Sequence, residues 1–119
     1  MMGIGALPCV EIAKIDIRKL REYVLNPNHP DGRHKARVFA ASLGIGPDES
    51  DWLASAILDG IAGAEAIFSA SNPWGDLYRV DLEIRRADRC ALVRTGWLCS
   101  GSETKMTTCY VVGGCDEAV

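Results

Sequence analysis

The first half of the chain carries apolar residues at helical spacing, and the second half alternates apolar and polar residues. Ile17, Leu20 and Val24 recur on one helix face, so the pattern predicts a helix there. Asp16 precedes it as an N-cap candidate, because its carboxylate can accept hydrogen bonds from the unpaired amides of the first turn. Asn26-Pro27 ends the helix, since the residue before a proline avoids helical backbone.

The same period predicts two more helices. One covers residues 34–43 and ends at Gly44, where a glycine can adopt the left-handed backbone of a helix end. The other begins in the turn at residues 47–49 and fades in the alanine- and glycine-rich stretch 60–66.

The period changes to two in the second half of the chain. Three strands are predicted, over residues 77–84, 90–99 and 105–112, with short turns between them. The polar residues 69–75 are predicted as a loop, and residues 11–15 as either an edge strand or a lead-in. Hairpin-linked strands after helices predict an α+β fold, with two to three N-terminal helices packed on a three- to four-stranded antiparallel sheet.

Length and composition limit the possible functions. The 119 residues suit one domain, with a helical part over about 16–66 and a sheet part over about 76–112. A formal net charge of −3 argues against general binding to nucleic acids or membranes. With no signal peptide and no apolar run of membrane length, we expect a cytoplasmic location. The cysteines are odd in number and lack C-x-x-C spacing, so all are expected to be free thiols: Cys9, Cys90, Cys99, Cys109 and Cys115.

Residues 26–37 hold both histidines of the chain and form its densest group of reactive side chains. A histidine, His29 or His34, could act as a general acid or base there. Nearby cations could hold an anionic group; they are Arg33, Lys35 and Arg37. The alternative is structural: His29 and Asp31 shape a proline-flanked turn, and the charged residues lie at the solvated start of a helix.

Arg94 is the candidate within the sheet, because a cation in the middle of an apolar strand needs a partner. It either pairs with Asp81 or Glu83 on the neighbouring strand, or lies on the open face and binds a phosphate or carboxylate. Thr107 and Thr108 could add a hydroxyl to the same site, or could reflect only β-propensity. No histidine or carboxylate cluster has metal-ligand spacing, so neither a metal nor another cofactor is expected.

Several motifs together resemble an uncharacterised bacterial family. Its longest motif, K-L-x-x-Y-L-L-N-P-x-H-P-x-G-x-x-K-A-x-x-F, is matched over residues 20–39. A Y-x-V-D strand is matched by residues 78–81, a V-R-T-x-W strand by residues 93–97, and a final T-x-Y by residues 108–110. The resemblance therefore covers most of the chain.

The resemblance implies a toxin domain. Such domains occur at the C-termini of bacterial and phage-borne polymorphic toxins, and as small proteins encoded beside a small antitoxin. Their order of elements is similar to the barnase–EndoU–colicin–RelE group of ribonucleases, which cleave RNA without metal. By this resemblance, His29 acts as acid or base, Lys35 and Arg94 stabilise the pentacoordinate phosphate, and Thr107 or Thr108 positions it. The residues expected to bind substrate are Arg33, His34 and Arg37.

The expected partners are an antitoxin or immunity protein and RNA, with no membrane involved. The alternative is a non-enzymatic protein-binding module or inhibitor, encoded by a phage or mobile element and directed at a host protein. The clustered histidines and cations favour the nuclease. The pI near 5.3 favours the binding module, as does Thr104-Lys105, which stands where the family often has Pro-Arg.

Overall fold

The computed structural model describes residues 5–115 and has three helices followed by four strands. The helices are α1 (Ile17–Lys19 and Leu20–Val24), α2 (Arg33–Leu43) and α3 (Ser50–Ile61). Helix α1 consists of an α-helical turn and a π-helical turn, whereas α2 and α3 are regular α-helices. Short 3-10 turns occur at Val10–Ile12 and Pro47–Glu49. The strands are β1 (Ile67–Asn72), β2 (Gly75–Arg86), β3 (Arg89–Ser100) and β4 (Glu103–Gly114). The predicted α+β fold is confirmed.

Helix α1 begins and ends where the sequence indicates. The Asp16 carboxylate accepts a hydrogen bond from the Arg18 amide at 3.0 Å, as an N-cap does. The last turn of α1 is wider than an α-helical turn, because the Leu25 amide donates to the Leu20 carbonyl at 2.8 Å, five residues back. Such π-helical turns are rare and often occur at functional sites. This one carries Tyr23, whose ring takes part in the site described below.

The sheet is an antiparallel meander in the order β1-β2-β3-β4, and the helices cover one of its faces. Helix α3 packs on β2, and α2 packs on β3 and β4. The strand β3 alternates strictly, with Val93, Thr95 and Trp97 buried under the helices and Arg94 on the opposite face, as its pattern predicts. The face that carries Arg94 is not covered by helices, so its side chains can meet a ligand. None of the helices in the described residues is long and apolar enough to cross a membrane.

A buried hydrogen-bond chain fixes the centre of this sheet. The Thr95 hydroxyl donates to the Val80 carbonyl at 2.7 Å and accepts from the Trp97 indole nitrogen at 2.8 Å. Both side chains are fully buried. The indole N–H therefore enters the core with its hydrogen bond satisfied, as buried polar groups require.

Strand β1 corrects the prediction of a loop over residues 69–75. The segment 67–72 pairs with β2, and Asn72 Oδ1 accepts from the Trp74 and Gly75 amides in the hairpin turn. Its residues are mostly exposed and do not alternate, because the strand lies at the sheet edge beyond the helices. The period-two signal depends on one buried face, and β1 has none.

The segment 11–15 proves to be a lead-in that pairs with the sheet at Lys14. Within it, Lys14 forms a single parallel bridge to Lys105 on the outer edge of β4, with the Lys14 amide donating to the Thr104 carbonyl at 2.9 Å. The chain then turns away into α1. This contact places α1 beside β4, where the candidate site forms.

The prediction of five free cysteines is wrong for two of them. Cys90 and Cys115 form a disulfide, with Cα atoms 5.5 Å apart, whereas Cys9, Cys99 and Cys109 are free. The strand register explains the pair: Ala91 lies opposite Gly114, so the next residue outward on each strand faces the other. A sequence separation of 25 residues gives no sign of this neighbourhood.

Candidate functional site

The loop after α1 is held together by His29. Its Nδ1 atom accepts hydrogen bonds from the Asp31 and Gly32 amides, each at 3.0 Å, and its ring packs edge-on against Tyr23 with centroids 4.7 Å apart. Gly32 lies so close to the Tyr23 carbonyl that a Cβ atom would overlap it. A larger residue at position 32 would push the loop away from α1. The turn-shaping interpretation of His29 is thus what the geometry shows.

These hydrogen bonds limit the proton chemistry of His29. A neutral imidazole has one donor and one acceptor nitrogen. Since Nδ1 accepts from two amides, the proton of the neutral ring lies on Nε2, and Nε2 acts as a donor. His29 can therefore donate a hydrogen bond to an anionic oxygen. The acid–base role expected from the resemblance would require Nδ1 to carry a proton and both amides to lose their acceptor.

Lys35 extends from the first turn of α2 to the last strand. Its Nζ donates to Thr108 Oγ1 at 3.2 Å and lies 5.3 Å from the ring centroid of Tyr23 and 5.5 Å from that of Tyr110. An ammonium between two aromatic rings gains cation–π attraction, which holds it in place. Tyr23 touches both His29 and Lys35, so the two sequence-predicted residues are linked through one ring.

Arg94 is paired with a carboxylate, as one interpretation of the sequence predicted. Its Nε and Nη2 donate to the two oxygens of Asp81 at 3.0 and 3.1 Å. This hydrogen bonding to Asp81, assisted by Tyr110, raises the pKa of Arg94 above its ordinary value despite partial desolvation. The guanidinium is therefore charged throughout the physiological pH range and keeps further N–H groups for a ligand.

A hollow of about 220 Å³ lies beside Arg94 on the open face. Gly96 forms part of its floor, and Thr107 and Thr108 border it where β4 carries an irregularity opposite Gly96. A Cβ atom at position 96 would come within 2.9 Å of Thr108 Cγ2, so a side chain there would displace the threonine. Arg79 also lines the hollow, and its buried Nε has no hydrogen-bond partner among the described residues.

A second cavity, the outer cleft, lies between α1 and the loop and has a volume of about 460 Å³. Lys19, which lines it, donates to the Thr107 carbonyl. Thr107 therefore connects the outer cleft with the hollow on the open face. The cleft is lined by Asp16, Arg18, Lys19, Glu22, Tyr23 and His29.

The structure brings together only part of the predicted site. Lys35, Arg94, Thr107 and Thr108 meet around the last strand, and His29 reaches them through Tyr23. The other three predicted residues lie elsewhere. His34 borders a groove with Lys35 and Tyr110, whereas Arg33 and Arg37 line a separate apolar groove beside Ile45 and Pro47.

Sequence reasoning did not name Tyr23, Tyr110 or Arg79 as site residues, and it considered Asp81 only as an ion-pair partner of Arg94. Arg79 also lies 3.9 Å from Asp81 Oδ2, measured from its Nε. The motifs Y-x-V-D and T-x-Y already contained Asp81 and Tyr110, and the longest motif contained Tyr23. Their fixed positions in these motifs were the available signal, and Tyr23 shares its motif with Lys35. Arg79 occupies a variable position of its motif and carried no such signal.

An antiparallel meander with helices on one face and a hollow beside Arg94 on the other defines an α+β domain. Its candidate site lies on the open face of the sheet and at the last strand. The chain belongs to the family described as a domain of unknown function, DUF6883, whose model matches residues 6–113. Neither the curated proteins nor the solved structures contained a match to the chain.

Proposed function

We propose that this protein is a metal-independent ribonuclease that acts as a toxin and is neutralised by a small antitoxin or immunity protein. The observation that supports this most is the meeting of Lys35 and Arg94, two cations from different elements, at Thr108 and Tyr110. Phosphoryl transfer without metal needs preorganised cations, because negative charge builds on the phosphate oxygens in the transition state.

In this proposal the phosphate binds in the hollow above Gly96. Arg94 and the Nε of Arg79, which has no hydrogen-bond partner among residues 5–115 and lies 3.9 Å from Asp81 Oδ2, donate to its non-bridging oxygens. Lys35, held by Thr108, adds positive charge nearby. Such charge-assisted hydrogen bonds are stronger than neutral ones. The Nε donor of Arg79 then gains a hydrogen bond that it does not make within the described residues.

Cleavage also needs a proton acceptor, and Asp81 is the carboxylate beside Arg94. The 2′-hydroxyl gives its proton to Asp81 and attacks phosphorus, the bond to the 5′ oxygen breaks, and that oxygen takes a proton from water. The products are a 2′,3′-cyclic phosphate and a 5′-hydroxyl. The Nε2 donor of His29 would hold a neighbouring phosphate or ribose group in the outer cleft.

The decisive experiment uses purified protein, excess metal chelator and a pair of oligonucleotides. One is an RNA, and the other carries 2′-deoxyribose at every position. We expect only the RNA to be cut, with a 2′,3′-cyclic phosphate end, and we expect Lys35→Met and Arg94→Ala to slow the cut by at least about 10²-fold. An intact RNA, or equal cleavage of both oligonucleotides, would overturn the proposal. Folding of both variants is checked by circular dichroism.

A second candidate function rests on the β1–β2 hairpin. Its apolar side chains are unusually exposed: Ile67 is 45%, Phe68 54% and Trp74 72% accessible. Apolar groups collected on one hairpin suit a protein partner. In a chain with a net charge of −3, that partner would be a basic host protein. A growth effect that survives Lys35→Met but is lost in the double variant Phe68→Ser, Trp74→Ser would favour this function over the nuclease.

A further inference from the structure

A cluster of metal-binding side chains lies at the opposite end of the sheet from the β1–β2 hairpin. Glu83, Cys90 and Cys115 each offer a ligand atom, and these atoms all lie within 4.8 Å of one another. Each residue comes from a different chain segment: β2, β3, and the residue that follows β4. They gather because the register sets Cys90 opposite Cys115, with Glu83 diagonally across on β2.

We propose that reduction of the Cys90–Cys115 disulfide creates a Zn²⁺ site that Glu83 completes. A dithiol reductant transfers two electrons to the disulfide and becomes oxidised itself, which leaves two thiols. Zinc binding then releases the two thiol protons, and the metal receives two sulfurs and one carboxylate oxygen. The fourth position of its tetrahedron holds water.

The chemistry and the spacing both fit zinc. Thiolates are soft ligands that select Zn²⁺ over Mg²⁺ or Ca²⁺. With bonds of about 2.0–2.3 Å, ligand atoms of tetrahedral zinc lie about 3.3–3.8 Å apart. On reduction the two sulfurs must move apart from their bonded distance to reach that value, whereas the Glu83 carboxylate already lies within 4.8 Å of both.

The surroundings of the cluster support a charged site. Arg85 Nη2 donates to Glu83 Oε2 at 3.2 Å, which orients the carboxylate and leaves Oε1 for a metal. Two thiolates and one carboxylate would exceed the charge of the zinc ion by one, and the Arg85 guanidinium offsets that excess. Such outer partners of a metal ligand commonly fix its orientation.

The disulfide and the metal exclude each other, because both use the same sulfur atoms. Oxidation would therefore close the site, and reduction would open it. In either state the end of β4 stays tied to β3, through the S–S bond or through zinc. The proposal is independent of the ribonuclease function, since Lys35 and Arg94 take no part in the cluster.

Equilibrium titration with Zn²⁺ in competition with a chromophoric chelator tests the proposal. We expect one equivalent to bind to the phosphine-reduced protein and none to the oxidised protein. Cys90→Ser should abolish binding. Glu83→Gln should weaken it by at least about 10-fold, because even changing a residue that only hydrogen-bonds to a metal ligand costs about 10–100-fold. Cys9→Ser is the matched control, since Cys9 is a free thiol outside the cluster, and it should bind as the wild type does.

Two readouts separate this site from nonspecific thiol binding. Co²⁺ in the reduced wild type should give thiolate charge-transfer absorption and the strong visible bands of tetrahedral cobalt, both lost in Cys90→Ser. Zn²⁺ should also raise the melting temperature of the reduced protein and leave that of the oxidised protein unchanged. Unchanged zinc affinity in Glu83→Gln, or equal binding by reduced and oxidised protein, would overturn the inference.

Discussion

The Nζ atom of Lys35 donates a hydrogen bond to Thr108 Oγ1 across 3.2 Å and so connects the start of α2 with the last strand. The two residues are 73 positions apart in the sequence. Their contact brings the histidine-containing loop and the open face of the sheet into one neighbourhood. With the Lys19 contact to the Thr107 carbonyl, it links the hollow beside Arg94 to the helical layer.

Removing the charge of Lys35 should abolish most of the proposed activity. Lys35→Met keeps a similar length and packing against Tyr23 and Tyr110 but loses the ammonium. We expect RNA cleavage to slow by about 10²–10³-fold, the usual cost of one lost donor to developing charge. Lys105→Met is the matched control and should cleave normally, because Lys105 is an exposed lysine on β4, the strand that carries Thr108. Equal rates of RNA cleavage for the two variants would show that Lys35 takes no part in the reaction.

The substitution His29→Asn separates the two interpretations of this histidine. Asparagine Oδ1 can accept from the Asp31 and Gly32 amides as Nδ1 does, so the loop and the melting temperature should be preserved. We expect single-turnover cleavage to fall by roughly 10-fold, the cost of one charge-assisted hydrogen bond. A loss of about 10²–10⁴-fold would instead show general acid–base catalysis.

His34→Asn serves as the control for this experiment. His34 is exposed and makes no contribution to the loop hydrogen bonds, so its removal should alter neither stability nor rate. His29→Ala, by contrast, leaves two amides without their acceptor. It should lower the melting temperature, which His29→Asn should not.

Thr95→Val should destabilise the fold, because the Thr95 hydroxyl lies on the buried face of the sheet. The change removes the donor to the Val80 carbonyl and the acceptor for the Trp97 indole, both fully buried. Each group left without a partner costs about 1–3 kcal/mol of the free energy of unfolding. Urea denaturation followed by tryptophan fluorescence measures this loss.

Thr108→Val is the matched variant for Thr95→Val. It removes the partner of Lys35 at a partly exposed position, so it should reduce cleavage and leave the urea midpoint nearly unchanged. A Thr95→Val protein with the same urea midpoint as the wild type would show that the buried hydrogen-bond chain does not stabilise the fold.

Thiol chemistry should distinguish the cysteines. Denatured, unreduced protein should show three titratable thiols, since Cys90 and Cys115 are paired. Burial raises the pKa of Cys109 to about 12, so at pH 8 only about 10⁻⁴ of this thiol is ionised in the folded state. Native labelling of Cys109 should therefore be slow and should follow global unfolding. Five reactive thiols in the denatured protein would rule out the disulfide.

The same raised pKa predicts a loss of stability in alkaline solution. The Cys109 thiol of the unfolded chain ionises above its ordinary pKa of 9.0, whereas the folded protein retains the proton up to about pH 12. The unfolded state therefore binds fewer protons between these values, and the free energy of unfolding falls as the pH rises. Cys109→Ala should reduce this slope, measured by urea denaturation at several pH values.

The amino-acid sequence by itself determined the local elements and their buried faces. The N-cap at Asp16, the helix end before Pro27 and the alternation around Arg94 are all local patterns, and the structure confirms each. The Arg94–Asp81 pair was one of two open interpretations, because adjacent hairpin strands place such residues side by side.

Tertiary structure alone decided which distant residues meet. The sequence pattern did not predict strand β1, because an edge strand beyond the helices has no buried face that would require alternating apolar residues. The Cys90–Cys115 pair and the Glu83 cluster depend on register between strands, and the Lys35–Thr108 contact depends on how α2 lies against β4. A local period records which face of an element is buried. It does not indicate which other element covers that face, because packing brings together residues that are far apart in the chain.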